Sequence, residues 1–145
     1  MNKEIKFEVP GNPKALKRHR TVKAGKFNRE YDPSIDDKAD FLAMAMNNRP
    51  SVPLDQPLFV KYEFYFQRPK AHYGTGSKAH ILKSSAPMWH TNTPDSDNLE
   101  KFINDALNTI FWKDDKCICA WSGIKKYSEN PRIVLTIVYN ECNEN

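Results

Sequence analysis

Two pairs of acidic residues bracket one amphipathic segment of the chain, in the stretch from Thr93 to Asp115. Asp95 and Asp97 stand two residues apart near its start, and Asp114 and Asp115 close it. Carboxylate oxygens are the ligands that Mg²⁺ prefers in proteins. Such a metal, held against a phosphodiester, can activate a water molecule and stabilise the leaving oxygen. The residue types therefore make this stretch a candidate hydrolytic site.

Lys101 follows Asp97 by four residues, so the two side chains share one face of a helix. The lysine can pair with that carboxylate or contact a phosphate. Pro94 disfavours helical geometry in the residue before it, which predicts an extended approach where Asp95 and Asp97 point the same way. Ordinary helix chemistry explains the same spacing, because Asp97 with Glu100 is also a capping pattern. Spacing alone leaves the structural and the catalytic interpretations open.

A cationic segment near the beginning of the chain favours the catalytic interpretation. Residues 14–29, named the basic arm below, contain no Asp or Glu. Clustered cations of this kind are typical of a phosphate-binding surface, and a solvated flexible loop is the alternative. The basic residues of the arm are Lys14, Lys17, Arg18, Arg20, Lys23, Lys26 and Arg29.

Residues 67–92, named the long loop below, are a second candidate surface for nucleic acid. A loop of this length in a compact domain is usually either functional or disordered. Interleaved cations and aromatic rings suit contact with a DNA backbone and exposed bases, and a mobile surface loop is the alternative. The residues concerned are Arg68, Lys70, His72, Tyr73, Lys78, His80, Lys83, Trp89 and His90.

Hydrophobic periodicity predicts an α+β fold, with a mixed sheet of about four strands and two main helices packed on it. A single domain is expected over residues 1–145. The last two strands are predicted to pair as a hairpin through a turn at 128–131, with a candidate bulge at Gly123. The predicted elements are a strand at 4–9, a helix from Ser34 to about Asn48, a strand at 58–66, a helix from Asn98 to about Ile110, and strands at 117–127 and 132–139.

Composition excludes several other classes of protein. The 145 residues are 39% hydrophobic and 28% charged, with a net charge of +4, which is ordinary for a globular domain. The three cysteines, Cys117, Cys119 and Cys142, form no CxxC motif or cluster with histidine, which argues against a disulfide framework and a zinc site. Neither a signal peptide nor a membrane-spanning run is found, so a reducing cytoplasm is expected.

The central motif is specific enough to suggest a family. The run D-S-D-N-L-E-K, followed by D-A-L and then F-W-x-D-D, resembles the RusA family of Holliday junction resolvases. A first strand that ends in Pro-Gly-Asn-Pro-Lys and the loop at 69–76 extend the resemblance over nearly the whole chain. The residues that carry the central match are Asp95, Asp97, Asn98, Leu99, Lys101, Asp105, Ala106, Leu107, Trp112, Asp114 and Asp115.

The resemblance implies a small homodimeric endonuclease that depends on Mg²⁺, with Mn²⁺ as a substitute. Such a crossover junction endodeoxyribonuclease hydrolyses phosphodiesters and resolves Holliday junctions by paired symmetric nicks, in DNA recombination and repair. Its partners would be four-way junctions or other branched DNA, with no membrane and no organic cofactor. Its place would be the cytoplasm of a bacterium or of a phage-infected cell.

Carried over by position, Asp95, Asp97 and Asp115 would be the metal-binding catalytic carboxylates. Lys101 would be the active-site cation, and Asp114 is ranked below Asp115 as a metal ligand. Two alternatives remain: a branched-DNA-binding protein without nuclease activity, and a nuclease that prefers flaps or forks. The residues expected to contact DNA are Lys14, Lys17, Arg18, Arg20, Arg68 and Lys70.

Overall fold

A computed structural model describes residues 2–141 of the chain. The fold is α+β, as the sequence predicts, with six strands and two α-helices in this part of the chain. Cys142 and most of the predicted polar tail lie outside the described residues. The elements are β1 (Asn2–Pro10), β2 (Arg20–Ala24), β3 (Phe27–Tyr31), α1 (Ile35–Ala45), β4 (Leu58–Gln67), α2 (Ser96–Leu107), β5 (Ile118–Ser128) and β6 (Arg132–Asn140).

The main sheet has four strands in the order β1-β6-β4-β5. β6 runs antiparallel to both β1 and β4, whereas β4 and β5 pair in parallel, so the sheet is mixed. Side chains of β4 alternate between buried and more exposed positions, because successive residues of a strand point to opposite faces. The buried set faces the helices and forms the centre of the core.

The predicted C-terminal hairpin is wrong. β5 and β6 do not pair with each other, because β4 lies between them and pairs with both. Periodicity predicts which residues are strands but not which strands are neighbours, and the most apolar strand takes an interior position. The candidate bulge at Gly123 is also wrong, since the register of β4 against β5 shifts between Leu58 and Phe59 instead.

Both helices pack on one face of the sheet. The apolar stripe of α2 is fully buried there, and its hydrophobic periodicity is the signal by which the sequence predicts it. Phe102 of α2 meets Phe41 of α1 edge to face, with ring centroids 6.0 Å apart. The buried residues of α2 are Leu99, Phe102, Ile103, Ala106 and Leu107.

The basic arm is more ordered than a flexible loop. Its second half forms the β2–β3 hairpin, in which the turn residue Gly25 has a φ of 62° that favours glycine. The long loop is compact as well, with 3-10 turns at Lys70–His72 and Gly76–Lys78. Its last part pairs with the outer edge of β5 through an isolated bridge between Trp89 and Lys126.

Within residues 2–141, no helix is long and apolar enough to cross a membrane. The two cysteines of this part of the chain, Cys117 and Cys119, are free.

The contact between the helices generates a test of this packing. Phe102→Ala is expected to lower the free energy of unfolding by about 3–5 kcal/mol, because it leaves a cavity between α1 and α2. Phe59 is the matched control, since it lies on the opposite face of the sheet with 44% of its surface exposed. Phe59→Ala should cost less than about 1 kcal/mol in urea unfolding, and equal losses would contradict the one-sided core.

Candidate active site

The carboxylates at the start of α2 are positioned by the helix itself. Asp95 is the residue that precedes the helix, with extended backbone, and its carbonyl accepts the first helical hydrogen bond from the Leu99 amide at 3.1 Å. Asp97 lies inside the first turn, so the predicted extended arrangement of the two aspartates is wrong. An acidic residue in the first turn is favoured by the helix dipole, which explains why the helix begins earlier than predicted.

A cleft of about 360 Å³ lies between α2, β4 and β5. It brings together three of the predicted site residues, Asp97, Lys101 and Asp115, although Asp115 is distant from the other two in sequence. The remaining lining residues are Tyr62, Glu100, Asn104, Ile118 and Trp121.

Lys101 and Asp97 form an ion pair on the exposed side of α2, with Nζ and Oδ2 3.2 Å apart. Their side chains are 58% and 72% exposed, so solvent screens the pair and its contribution to stability is small. The ion pair therefore adds little to the stability of the helix. Its position at the rim of the cleft leaves both groups accessible to a ligand.

Asp115 and Asp114 have different roles in the structure. The Asp115 carboxylate lines the cleft and accepts a hydrogen bond of 2.7 Å from Nε1 of Trp112, whose side chain is fully buried. The Asp114 carboxylate instead accepts from the Lys116 amide at 2.9 Å and caps a short 3-10 turn. Of this acidic pair, Asp115 is the group available to a metal in this arrangement.

Burial raises the pKa of Asp115, and the charges of Asp105 and Asp114 raise it further against the lowering effect of the Trp112 hydrogen bond. The negative charge of Asp115 is thus not fully compensated by the hydrogen bond from Trp112. Groups with this property are common at functional sites.

Asp95 is not among the residues that line the cleft. Its carboxylate acts electrostatically on Lys125 of β5, whose pKa is lowered by burial against the raising effect of Asp95. Of the three carboxylates that the family resemblance assigns to one ligand set, Asp97 and Asp115 line the cleft.

Glu100 is a cleft residue that the sequence argument considered only as a capping partner. Burial raises its pKa, and the nearby charge of Asp97 raises it further. Gly123 of β5 leaves the space that Glu100 uses, since a Cβ built at that glycine would stand 3.1 Å from Glu100 Oε1. Two features of the sequence could have indicated that Glu100 lies in the cleft: its i, i+3 spacing from Asp97 and the glycine inside the β5 strand.

The floor of the cleft is formed by a buried tyrosine of β4. The Tyr62 hydroxyl donates a hydrogen bond of 2.6 Å to Oδ1 of Asn104, which ties α2 to the centre of the sheet. Burial raises the pKa of Tyr62 above its ordinary value. The hydrogen bond holds Asn104 of α2 against the strand, one helical turn from Glu100.

Within the described range, no three His, Cys, Asp or Glu side chains are arranged so that they could hold a metal ion. The fit to a divalent cation rests on the chemistry of the donors instead. Asp97, Glu100 and Asp115 present hard oxygen donors to one cleft, and two of them have raised pKa values. A divalent cation would neutralise this charge, so the donor types, though not their present spacing, suit Mg²⁺ or Mn²⁺.

The first half of the basic arm lies against the beginning of α2. The Leu16 amide donates a hydrogen bond of 3.0 Å to the carbonyl of Asn98, the residue that follows Asp97. The Lys17 amide donates to the buried Ser34 hydroxyl at 2.8 Å, which fixes the arm to the start of α1. The first half of the basic arm is therefore attached both to α1 and to the helix that carries the acidic site.

The predicted DNA-contacting residues divide into three groups. Arg18 and Arg20 are exposed, as is Lys70 in the long loop. Lys14 and Lys17 share the carboxylate of Asp37, at 2.9 and 3.9 Å, so part of their charge is compensated.

Arg68 is engaged within the protein. Its Nη1 donates to the Pro87 carbonyl at 2.7 Å, and its guanidinium carbon lies 5.5 Å from the ring centroid of Tyr127. This side chain holds the long loop in place, and a phosphate contact would have to use its remaining donors.

Comparison with known proteins agrees with the central motif. The family described as "Endodeoxyribonuclease RusA" matches residues 10–138, and the chain belongs to this family. A protein of Bacillus subtilis (strain 168), named "Uncharacterized protein YqaN", is 31% identical over 135 residues, which cover 92% of this chain and 94% of that protein. The family resemblance inferred from the sequence is thereby confirmed.

The raised pKa of Asp115 generates a prediction about stability in metal-free buffer. An acid whose pKa is higher in the folded than in the unfolded state loses stability as pH rises through that interval, because the charged form is disfavoured by folding. Asp115→Asn keeps an acceptor for Trp112 and removes the charge. It should raise Tm at pH 7 by roughly 1–3 °C in EDTA.

The gain from Asp115→Asn should vanish below pH 3.8, the ordinary value for this acid, where wild-type Asp115 is protonated in both states. Asp114→Ala is the contrasting variant, since it removes a cap and should lower the free energy of unfolding by about 1 kcal/mol. A lower Tm for Asp115→Asn than for the wild type at pH 7 would contradict the conclusion that the charge of Asp115 destabilises the folded state.

Proposed function

We propose that the chain is a Mg²⁺-dependent, structure-specific endodeoxyribonuclease that resolves Holliday junctions by paired nicks, with the cleft as its active site. The observation that carries the proposal is the hydrogen bond from the Leu16 amide to the Asn98 carbonyl, which attaches the basic arm to the first turn of the helix that carries Asp97 and Lys101. A phosphate backbone attracted by the arm would then pass the acidic cleft. Membership of the RusA family supports the same activity.

Asp97 and Asp115 would hold the metal, with Glu100 beside them, and Asp95 remains a ligand proposed from the family motif alone. Mg²⁺, when bound there, would act as a Lewis acid and would lower the pKa of a coordinated water molecule. Lys101 would leave its ion pair with Asp97 for the non-bridging oxygens of the scissile phosphate and neutralise charge that develops there.

The arm and the long loop would position the DNA. Arg18 and Arg20 present exposed cations, which bind phosphates without reading sequence. Exposed Trp121, at the rim of the cleft, offers an aromatic face to an unpaired base at a branch point. A homodimer would place two such clefts on opposite strands of a two-fold symmetric junction. Action on bacterial or phage DNA would place the protein in the cytoplasm.

A second candidate function is branched-DNA binding without cleavage. It is favoured by the lining of the cleft, which includes Asp97 and Asp115 but not Asp95, and by the lack, within residues 2–141, of three His, Cys, Asp or Glu side chains arranged to hold a metal ion. The two candidates differ in their dependence on Mg²⁺, since binding by the arm does not require the metal.

The experiment compares nicking of a mobile four-way junction with nicking of linear duplex of the same sequence, at matched salt. Symmetric nicks are expected on the junction with Mg²⁺ and not with EDTA. Asp97→Asn and Asp115→Asn should each lower the single-turnover rate by about 100-fold or more, because each removes charge from the metal site.

Asp114→Asn is the matched control for Asp115→Asn, since asparagine caps a helix as well as aspartate does. It should nick at nearly the wild-type rate, while all three variants still bind the junction. Tight junction binding without nicks under any divalent metal would contradict the enzyme and leave the binding protein. Equal loss in Asp114→Asn and Asp115→Asn would contradict the assignment of the cleft.

A further inference from the structure

Lys125 of β5 lies outside the cleft, yet its side chain reaches the segment that leads into α2. We propose that Lys125 is a positioning residue, which fixes residues 92–94 to the sheet and thereby holds Asp95 and the first turn of α2 in place. The effect of Lys125 on a metal site rests on the proposed function. Its attachment of residues 92–94 to the sheet rests on hydrogen bonds alone.

The ammonium group of Lys125 makes two short contacts with backbone carbonyls. Nζ donates to the carbonyl oxygen of Asn92 at 2.8 Å and to that of Pro94 at 2.7 Å. Hydrogen bonds from a charged donor are stronger than those between neutral groups, and a lysine has three protons to donate. Two of them are directed at the residues just before Asp95.

Lys125 is itself held firmly. Its backbone stands opposite Phe64 in the parallel pairing with β4, and its carbonyl accepts a hydrogen bond of 3.0 Å from the His90 amide of the long loop. Nζ lies 5.9 Å from the ring centroid of Phe66, over an apolar part of the sheet. The backbone of Lys125 is therefore fixed in β5, so its side chain can restrain residues 92–94.

The segment that Lys125 holds has few other attachments. Within the described part of the chain, its other side-chain hydrogen bond runs from Asn92 Nδ2 to the Tyr127 hydroxyl, at 3.2 Å. Asp95 follows directly, and its carbonyl begins the hydrogen bonds of α2. Loss of the two Lys125 contacts should thus loosen the approach to the helix more than the helix body.

Charge gives the contact a second effect. The Asp95 carboxylate favours the charged form of Lys125, while burial disfavours it. The same cation therefore restrains the backbone on one side of Asp95 and attracts its carboxylate. In the proposed site, where Asp95 is a ligand by the family motif, a partner that orients it would change metal affinity by about 10-fold or more.

The test uses Lys125→Met, which keeps an unbranched apolar side chain of similar length and removes the donors. Lys126→Met is the matched control, because Lys126 is the next residue on the strand and its Nζ lies 4.6 Å from the ring centroid of Trp89 instead. Amide hydrogen exchange, Mg²⁺ binding to the DNA-free protein by calorimetry, and junction binding in EDTA are measured for both variants and the wild type.

In Lys125→Met, exchange of the Leu99 amide should accelerate by about 10-fold while the central amides of β4 keep their protection. The dissociation constant for Mg²⁺ should rise by about 10-fold, with junction affinity changed by less than about twofold. Lys126→Met should leave exchange and Mg²⁺ affinity as in the wild type. Lys125→Arg, which restores a charged donor, should recover part of both losses.

Unchanged exchange at Leu99 in Lys125→Met would overturn the proposal, and so would faster exchange with unchanged Mg²⁺ affinity. A loss of junction affinity, with the salt dependence reduced by about one phosphate contact, would make Lys125 a DNA ligand instead. Uniformly faster exchange over the whole sheet would make it a general stabilising residue. A wild type that binds no Mg²⁺ would refute the proposed function, and the exchange data would still decide whether Lys125 holds the segment.

Discussion

The structure depends on the packing of one helix face against the sheet. Leu99, Ile103 and Leu107 of α2 are completely buried, and this stripe fixes the rotation of the helix about its axis. Because of that rotation, Asp97 and Lys101 turn towards the cleft on the other side. Burial of each such side chain stabilises the fold by about 1.5–3 kcal/mol, far more than the exposed ion pair contributes. The apolar face of α2 therefore fixes the helix on the sheet, and the polar face presents Asp97 and Lys101 to the cleft.

The Asp115 side of the cleft is held in place by a different buried residue. Trp112 is fully buried, and its indole nitrogen holds Asp115 at 2.7 Å. A hydrogen bond from a rigid, buried ring orients a carboxylate better than solvent could, while burial keeps its charge poorly compensated. Burial of this poorly compensated charge therefore costs stability. Asp114, one residue earlier, serves the backbone of its own turn.

Much of this was predictable from the sequence, and the failures have physical causes. The strong periodicity of α2 and of β4 predicts both elements, and the spacing of Asp97 and Lys101 predicts their ion pair. Strand neighbours depend on contacts between distant residues, so the separation of β5 from β6 by β4 could not be deduced from local pattern. The place of Glu100 in the cleft likewise depends on a glycine in β5, and the backbone geometry at Asp95 and Asp97 depends on where α2 begins.

The central claim is that the cleft of Asp97, Glu100 and Asp115 binds the divalent metal of a RusA-family nuclease. Titration of the isotope-labelled protein with Mn²⁺, followed by NMR, tests it directly, since a bound paramagnetic ion broadens nearby amide signals. The account predicts selective broadening in the first turns of α2 and around Asp115, abolished by Asp97→Asn and by Mg²⁺ in excess. Broadening at another surface, or none at millimolar Mn²⁺, would contradict it.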